Sequence, residues 1–217
     1  MNRILKRYGE LLQEVDRWFS DTLAAHPDLI ACRPGCSACC RGLFDITLLD
    51  ALYLQQGVTL LPLEEQQQLL QLALQRLQAL SSICTDYHAP WFLNHLSDQQ
   101  QETLMPEDDP TPCILLSAAG ECRVYHYRPM TCRLHGIPLF DSDGEPFSDE
   151  WCSLNFIDLD PAQLVDIRHG FRDLFFRELL LFRELTALLY GAPCNELDTL
   201  IPAALLISPL DTPPKHA

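Results

Sequence analysis

Positive charge is scarce in this sequence: 15 Lys and Arg stand against 30 Asp and Glu, a net charge of −15 and a pI near 4.7. Nucleic-acid binding needs clustered cations that displace counterions from phosphates, and a polybasic membrane anchor needs a similar cluster. Neither a nucleic-acid partner nor a membrane partner is therefore expected. Arg123, Arg128 and Arg133 fall close together among cysteines and leave room for a local basic patch. Long apolar runs are missing too, since none approaches the roughly 18 residues of a membrane span. The opening stretch MNRILKRYGELLQEVDRW begins with positive charge, but Glu10, Glu14 and Asp16 interrupt any leader-like apolar core. A cytoplasmic location is expected. The sequence has no Walker-type phosphate loop, no His-Glu-x-x-His helix and no Gly-x-Ser-x-Gly elbow. Kinase, ATPase, zincin and α/β-hydrolase chemistry are thereby disfavoured. No internal repeat or clear linker divides the 217 residues, which reads as one domain over 1–217.

Cysteine, by contrast, is abundant. There are ten, in a chain whose 47% hydrophobic content already provides for a core. Disulfides are not needed to replace a missing core, and a reducing compartment disfavours them. Metal binding or redox chemistry becomes the leading use of the thiols. The stretch CRPGCSACCRG carries Cys32, Cys36, Cys39 and Cys40 within nine positions. A Cys-x-x-Cys step from Cys36 to Cys39 lets two thiolates face one metal from a tight loop, and Gly35 eases the turn. A catalytic dithiol would sit at a helix start in a βαβ context, which is absent. On extended backbone the neighbours Cys39 and Cys40 point to opposite faces. They are expected to serve two sites, or one cluster with a thiol beside it.

Cys113, Cys122, Cys132 and Cys152 share the turn-rich middle of the chain. With the first four they make eight candidate metal ligands. Eight thiolates supply two tetrahedral zinc sites, one or two iron–sulfur clusters, or a mixture. Cys84 and Cys194, each after a long helix, are expected to lie outside the centre. Arg128 and Arg133 are candidate cofactor-binding residues that offset thiolate charge. His126 and His135 are expected not to be ligands, and Tyr127 is expected to be a core ring.

The fold class expected is mainly α, with a small irregular cysteine-rich centre containing short β-hairpins. Apolar residues at helical spacing predict a helix over 3–25. The stretch TLLD, residues 47–50, predicts an N-cap and a short helix to about residue 56. PLEEQQQLLQLALQRLQALSS predicts another helix with a core-facing leucine stripe. Residues 84–112 read as a solvated loop or lid. CILLSAAGECRVY and IPLFDSDGEPF each read as a hairpin. Asp160-Pro161 is expected to open the longest helix, over 161–190. The C-terminal DTPPKHA is expected to fray.

The cysteine pattern resembles a known family. CRPGCSACC, then Tyr125, Arg128, Pro129, Cys132 and Arg133 in the order Tyr-x-x-Arg-Pro-x-x-Cys-Arg, then Cys152, is similar to the CxxCxxCC family of zinc- or iron-chelating domains. The resemblance covers roughly 32–152, with helices 3–25 and 161–190 outside it. Three residues separate Cys32 from Cys36, where the family name has two. Metal chelation, by zinc or by iron, is what the resemblance implies, and an iron–sulfur cluster or zinc is the cofactor expected. Similar cysteine domains also occur in protein-lysine methylation, but the nine glycines include no Gly-x-Gly element for a nucleotide-derived methyl donor. The function expected is thus a cytoplasmic metalloprotein with a redox or metal-dependent role, or a zinc-stabilised interaction module without catalysis.

Overall fold

In the computed structural model, residues 1–148 and 150–211 are described. Along the chain they form α1 (Asn2–Ala25), β1 (Asp45–Thr47), α2 (Leu48–Thr59), α3 (Leu63–Ile83), α4 (Asp98–Leu104), α5 (Met130–Leu134), β2 (Leu139–Phe140), β3 (Pro146–Ser148), α6 (Phe171–Tyr190), β4 (Asp198–Leu200) and α7 (Ile201–Ala204). This is a mainly α fold with two small antiparallel ribbons, β1–β4 and β2–β3. Among the described residues, no helix is long and apolar enough to cross a membrane.

The expected α1 is present because its stripe of Ile4, Leu5, Tyr8, Leu11, Leu12, Val15 and Trp18 is buried. An isolated helix gains little from propensity; covering such a stripe stabilises it. α1 packs on α2, α5 and α6. At the start of α2, Thr47 Oγ1 accepts the Asp50 N–H at 3.1 Å, as its sequence signal predicts. The helix then runs to Thr59, past the expected end. α3 turns Leu69, Ala73, Leu77 and Leu80 inward, the core-facing part of its stripe.

Several expectations need correction. Residues 84–112 are not simply a solvated loop. Tyr87, Leu93, Leu96 and Leu104 are buried against α3, Phe92 is buried in the main core, and Ser97 with Gln100 forms a capping box that opens α4. The acidic run after it is tied back through an ion pair between Arg76 and Asp109. CILLSAAGECRVY makes no two-stranded ladder: a turn at 117–120 is flanked by a single bridge, Leu116 to Cys122. The chain leaves that bridge directly into a 3₁₀ turn at Tyr125–Tyr127, so no strand can extend. The second hairpin is present as β2–β3, closed by Gly144 N–H to the Asp141 carbonyl at 2.8 Å with Gly144 at φ +90°.

The helix expected over 161–190 begins only at Phe171. Asp160 does cap, accepting the Ala162 N–H at 3.0 Å, but it caps one 3₁₀ turn. The indole of Trp18 in α1 then donates to the Ile167 carbonyl at 2.8 Å, and the His169 N–H reaches Phe140 at 3.0 Å. These tertiary bonds hold 164–170 out of helix. α6 is 20 residues, shorter than the 24 of α1. Gly191 at φ +79° ends it. Of the C-terminal stretch expected to fray, residues 212–217 lie outside the described residues.

A third apolar group, with Ala51, Leu54, Leu69, Leu115 and Val124, underlies the cysteine loops and touches Cys113, Cys122 and Cys132. Tyr127 belongs to it, stacked on Tyr53 at 5.1 Å between ring centroids. Gly57 makes this contact possible: a Cβ there would lie 2.5 Å from the Tyr127 Cβ. Alanine in mid-helix normally gains about 1 kcal/mol over glycine, whereas overpacking costs about 1–3 kcal/mol. The clash is with the root of the tyrosine side chain, which cannot swing away. Gly57→Ala is expected to lower stability on balance, seen as a reduced denaturation midpoint; an increase would show that Tyr127 moves freely.

Candidate metal centre

Four segments carry the eight cysteines, three of them irregular and one the short helix α5. In the first, two successive turns are closed by Cys36 N–H to Arg33 O at 2.9 Å and Cys40 N–H to Ser37 O at 3.0 Å. Gly35, at φ +83°, sits in the first turn. The second segment docks on the first: Cys113 N–H donates to Cys40 O at 2.9 Å, and Gly42 N–H donates to Thr111 O at 2.8 Å. Gly120 approaches so closely that a Cβ would lie 3.3 Å from the Gly35 carbonyl oxygen. Cys132 comes from α5, and Cys152 from the segment that follows β3.

Asn155 ties the fourth segment to the first. Its Oδ1 accepts the Ala31 N–H at 2.8 Å, while its Nδ2 donates to Gly136 O at 2.6 Å and faces Cys32 Sγ at 3.7 Å. Sequence reasoning missed this residue. Its one signal was position, three residues after Cys152.

Electrostatic neighbours divide the thiols. Burial raises the Cys32 pKa, and the charges of Cys36, Cys152 and Cys39 add to that rise. Cys40 instead feels Cys113, Cys132 and Cys122. Cys132 is raised well above the ordinary thiol range, first by burial, then by Cys113, Cys122, Asp50 and Cys39. Cys113 is pushed up to about 11 by burial, against a favourable hydrogen bond from the Leu115 backbone. At Cys122 burial again dominates, opposed by the Val124 backbone and by the charges of Arg128 and Arg133.

Two neighbourhoods emerge: Cys32, Cys36, Cys39 and Cys152, and Cys40, Cys113, Cys122 and Cys132. Cys39 lies between them. The opposite-face expectation for Cys39 and Cys40 presumes extended backbone. The backbone turns at 38–39, so strand alternation does not apply. The Cys39 thiol hydrogen-bonds to Cys40, raising its own pKa and lowering that of Cys40. All ten cysteines are free. Among the described residues, no three His, Cys, Asp or Glu side chains are already closed into a coordination shell.

A protein-family model described as "Putative zinc- or iron-chelating domain" matches residues 31–153, more than half of the 217-residue chain. The chain belongs to the CxxCxxCC family. No curated protein and no solved structure matches it. The CxxCxxCC region begins one residue before Cys32 and ends one after Cys152, so it contains all eight candidate cysteines and excludes α1 and α6.

The other singled-out residues of the CxxCxxCC domain fall as follows. Cys84 is buried between α3 and Tyr87, and Cys194 packs beside the end of α6; neither is among the neighbours of the eight. Arg133, only 2% exposed, donates to the carbonyls of Arg128 and His126 and pairs with Asp16. Arg128 pairs with Asp16 at 3.0 Å and lies over the Tyr125 ring. Their hydrogen bonds are thus spent on protein, while their charge still favours the Cys122 thiolate. His135 lies edge-on to Phe44, and burial lowers its pKa.

Losing one buried hydrogen-bond partner costs about 1–3 kcal/mol. Asn155→Ala removes the partners of both Ala31 and Gly136. It is expected to lower stability by at least that much and to open 28–36 to protease, while α3 stays protected. Unaltered cleavage there would separate Asn155 from the cysteine loops.

Proposed function

We propose that this chain is a thiolate metalloprotein with a two-part centre, divided at the vicinal pair. Cys32, Cys36, Cys39 and Cys152 form one ligand set, and Cys40, Cys113, Cys122 and Cys132 the other. The observation that carries this reading is the split of electrostatic neighbours between Cys39 and Cys40. Four thiolates satisfy one tetrahedral ion or cap one cluster. The chain's own groups fit that use. Backbone N–H groups of Leu115 and Val124 serve the sulfurs of Cys113 and Cys122, and Arg128 and Arg133 offset their negative charge. Second-shell donors of this kind orient and tune thiolate ligands.

Iron, held as iron–sulfur, is our reading of the metal, and it would supply one-electron chemistry. Its support is the adjacency of the two sets: ligands one residue apart bring two centres near enough to exchange electrons. Zinc as a structural cross-link is the second reading, favoured by the sparse regular structure of the four segments. Ten free cysteines suit a reducing, cytoplasmic setting. The acidic composition supports a protein or small-molecule partner over nucleic acid.

Anaerobic purification followed by metal analysis and visible absorption tests the metal. A brown protein with iron and sulfide is expected; a colourless zinc protein transfers the conclusion to the second reading. Cys39→Ser and Cys40→Ser test the division. Serine keeps the size and loses the soft donor. Each variant is expected to lose metal, about half of the total if the sets fill independently. Parent-level metal in both variants would remove the vicinal pair from the ligand sets. Chelation of the parent is expected to expose residues 109–123 and 150–156 to protease while most helix signal survives.

A further inference from the structure

On the side of α5 away from the cysteines lies a cleft of about 440 Å³. Ile46, Leu134, Ile137, Leu139, Phe175 and Trp151 give it apolar walls, and Asp45, Asp50, Glu178 and Asp198 bring carboxylates to it. Small-molecule sites commonly have this size and this mixture of apolar wall and convergent polar groups.

The carboxylates lack positive partners. Elsewhere the acids pair: Asp16 with Arg128 and Arg133, Glu14 with Arg177, Asp109 with Arg76. Among the described residues, no ion pair includes Asp45, Asp50, Glu178 or Asp198. Asp50, 3% exposed, is served by neutral donors: the Tyr8 hydroxyl at 2.6 Å and the Met130 N–H at 2.9 Å, both to Oδ1.

Glu178 is the informative group. Among the described residues its one hydrogen-bond neighbour is the same Tyr8 hydroxyl, at 3.3 Å. A hydroxyl has one proton, and the shorter bond assigns it to Asp50. An ionised Glu178 therefore receives no hydrogen, although it is largely buried. Asp198 accepts from the Asn94 amide at 3.5 Å, and the Glu196 carboxyl lies beside it. Burial pushes Glu178 up to about 8, with Asp50 and Asp198 adding to the rise, and Asp198 up to about 7, with Glu196 and Asp45 adding. A buried carboxylate without a partner is costly, and a cation brought by a ligand removes the cost.

We propose that this cleft is a binding site for a small organic ammonium ion, whose charged nitrogen lies between Glu178 and Asp198 and whose apolar body lies against Leu134, Ile137 and Phe175. The assignment does not depend on which metal, if any, the cysteines hold. Anions are disfavoured by the convergent carboxyl groups, which a bound cation draws into their ionised form, and an apolar wall suits a carbon skeleton better than a hydrated metal ion.

The probe is hexylammonium, titrated calorimetrically into the full chain as purified, with hexan-1-ol as the uncharged control and calcium as the inorganic one. Hexylammonium is expected to saturate one site and to bind at least roughly tenfold more tightly than hexan-1-ol. Glu178→Gln keeps the side-chain size and removes the charge. It is expected to weaken hexylammonium roughly ten- to hundredfold, the loss of one charge-assisted hydrogen bond, and to leave hexan-1-ol unchanged. Equal binding of the amine and the alcohol overturns the proposal, and so does calcium binding without hexylammonium binding. The comparison of the two probes on the parent protein needs no variant, so a misfolded Glu178→Gln would not shelter the idea.

Discussion

A buried guanidinium fixes the cysteine loops to the helical body. Arg133 is almost wholly enclosed, yet its donors are occupied: two carbonyls of its own preceding turn and the carboxylate of Asp16 on α1. Removing one partner of such a pair leaves an uncompensated buried charge, at a cost of about 3–5 kcal/mol. The bonds to His126 and Arg128 curl the chain between Cys122 and Cys132. The bond to Asp16 sets that curl against α1. Asp50 completes the fastening by accepting the first N–H of α5 while taking the hydroxyl of Tyr8, again from α1. Cys132 is thereby placed by polar bonds that do not involve sulfur.

The sulfur atoms themselves are held in tension. Burial is the first cause that raises Cys32, Cys113, Cys122 and Cys132, and mutual repulsion adds to it at all of these but Cys122. Each is thus kept as a thiol by its surroundings, although backbone N–H groups are already aimed at two of the sulfurs. A divalent or clustered metal reverses that balance, because a local positive charge deprotonates coordinating thiols outright. Were a metal bound here, its affinity would be linked to proton release, and part of the folding free energy of these segments would reside in it. The scarcity of regular structure in the four segments agrees with this, since their backbones gain little from helix or sheet ladders.

What was legible in the sequence was local. The stripe of α1, the core-facing part of α3, the Thr47 cap and the DSDG turn each depend on neighbours a few residues away. The misread stretches depend on distant ones. Residues 164–170 carry an adequate helix start but give up helix to bonds with Trp18 and Phe140. The 84–104 stretch looks polar, yet its few apolar residues are those that face α3. The ribbon β1–β4 joins residues some 150 positions apart and is only three residues long on each side, too short for an alternating pattern to show. At the centre, the cysteines were conspicuous, but their supports were not. Asp50, Asp16 and Asn155 are ordinary surface residue types in sequence, and only the fold makes them internal partners. The vicinal cysteines lie on a turn, so strand alternation says nothing about where their sulfurs go.

The five residues of α5 concentrate these constraints. A helix of that length has no stability of its own, because nucleation alone costs more than its few bonds return. Its conformation is imposed from outside: by Asp50 at the first N–H, by the three anchors of Arg133, and by Met130 and Leu134 in the main core. Cys132 faces the thiol group, while Thr131 and Leu134 line the acidic cleft. Met130, Arg133 and Leu134 are buried, Thr131 and Cys132 are half-buried, and the helix is the wall common to both regions. A short element so fully specified by its neighbours holds the Cys132 sulfur, a candidate ligand, in place more firmly than a loop, without the length a free-standing helix would need.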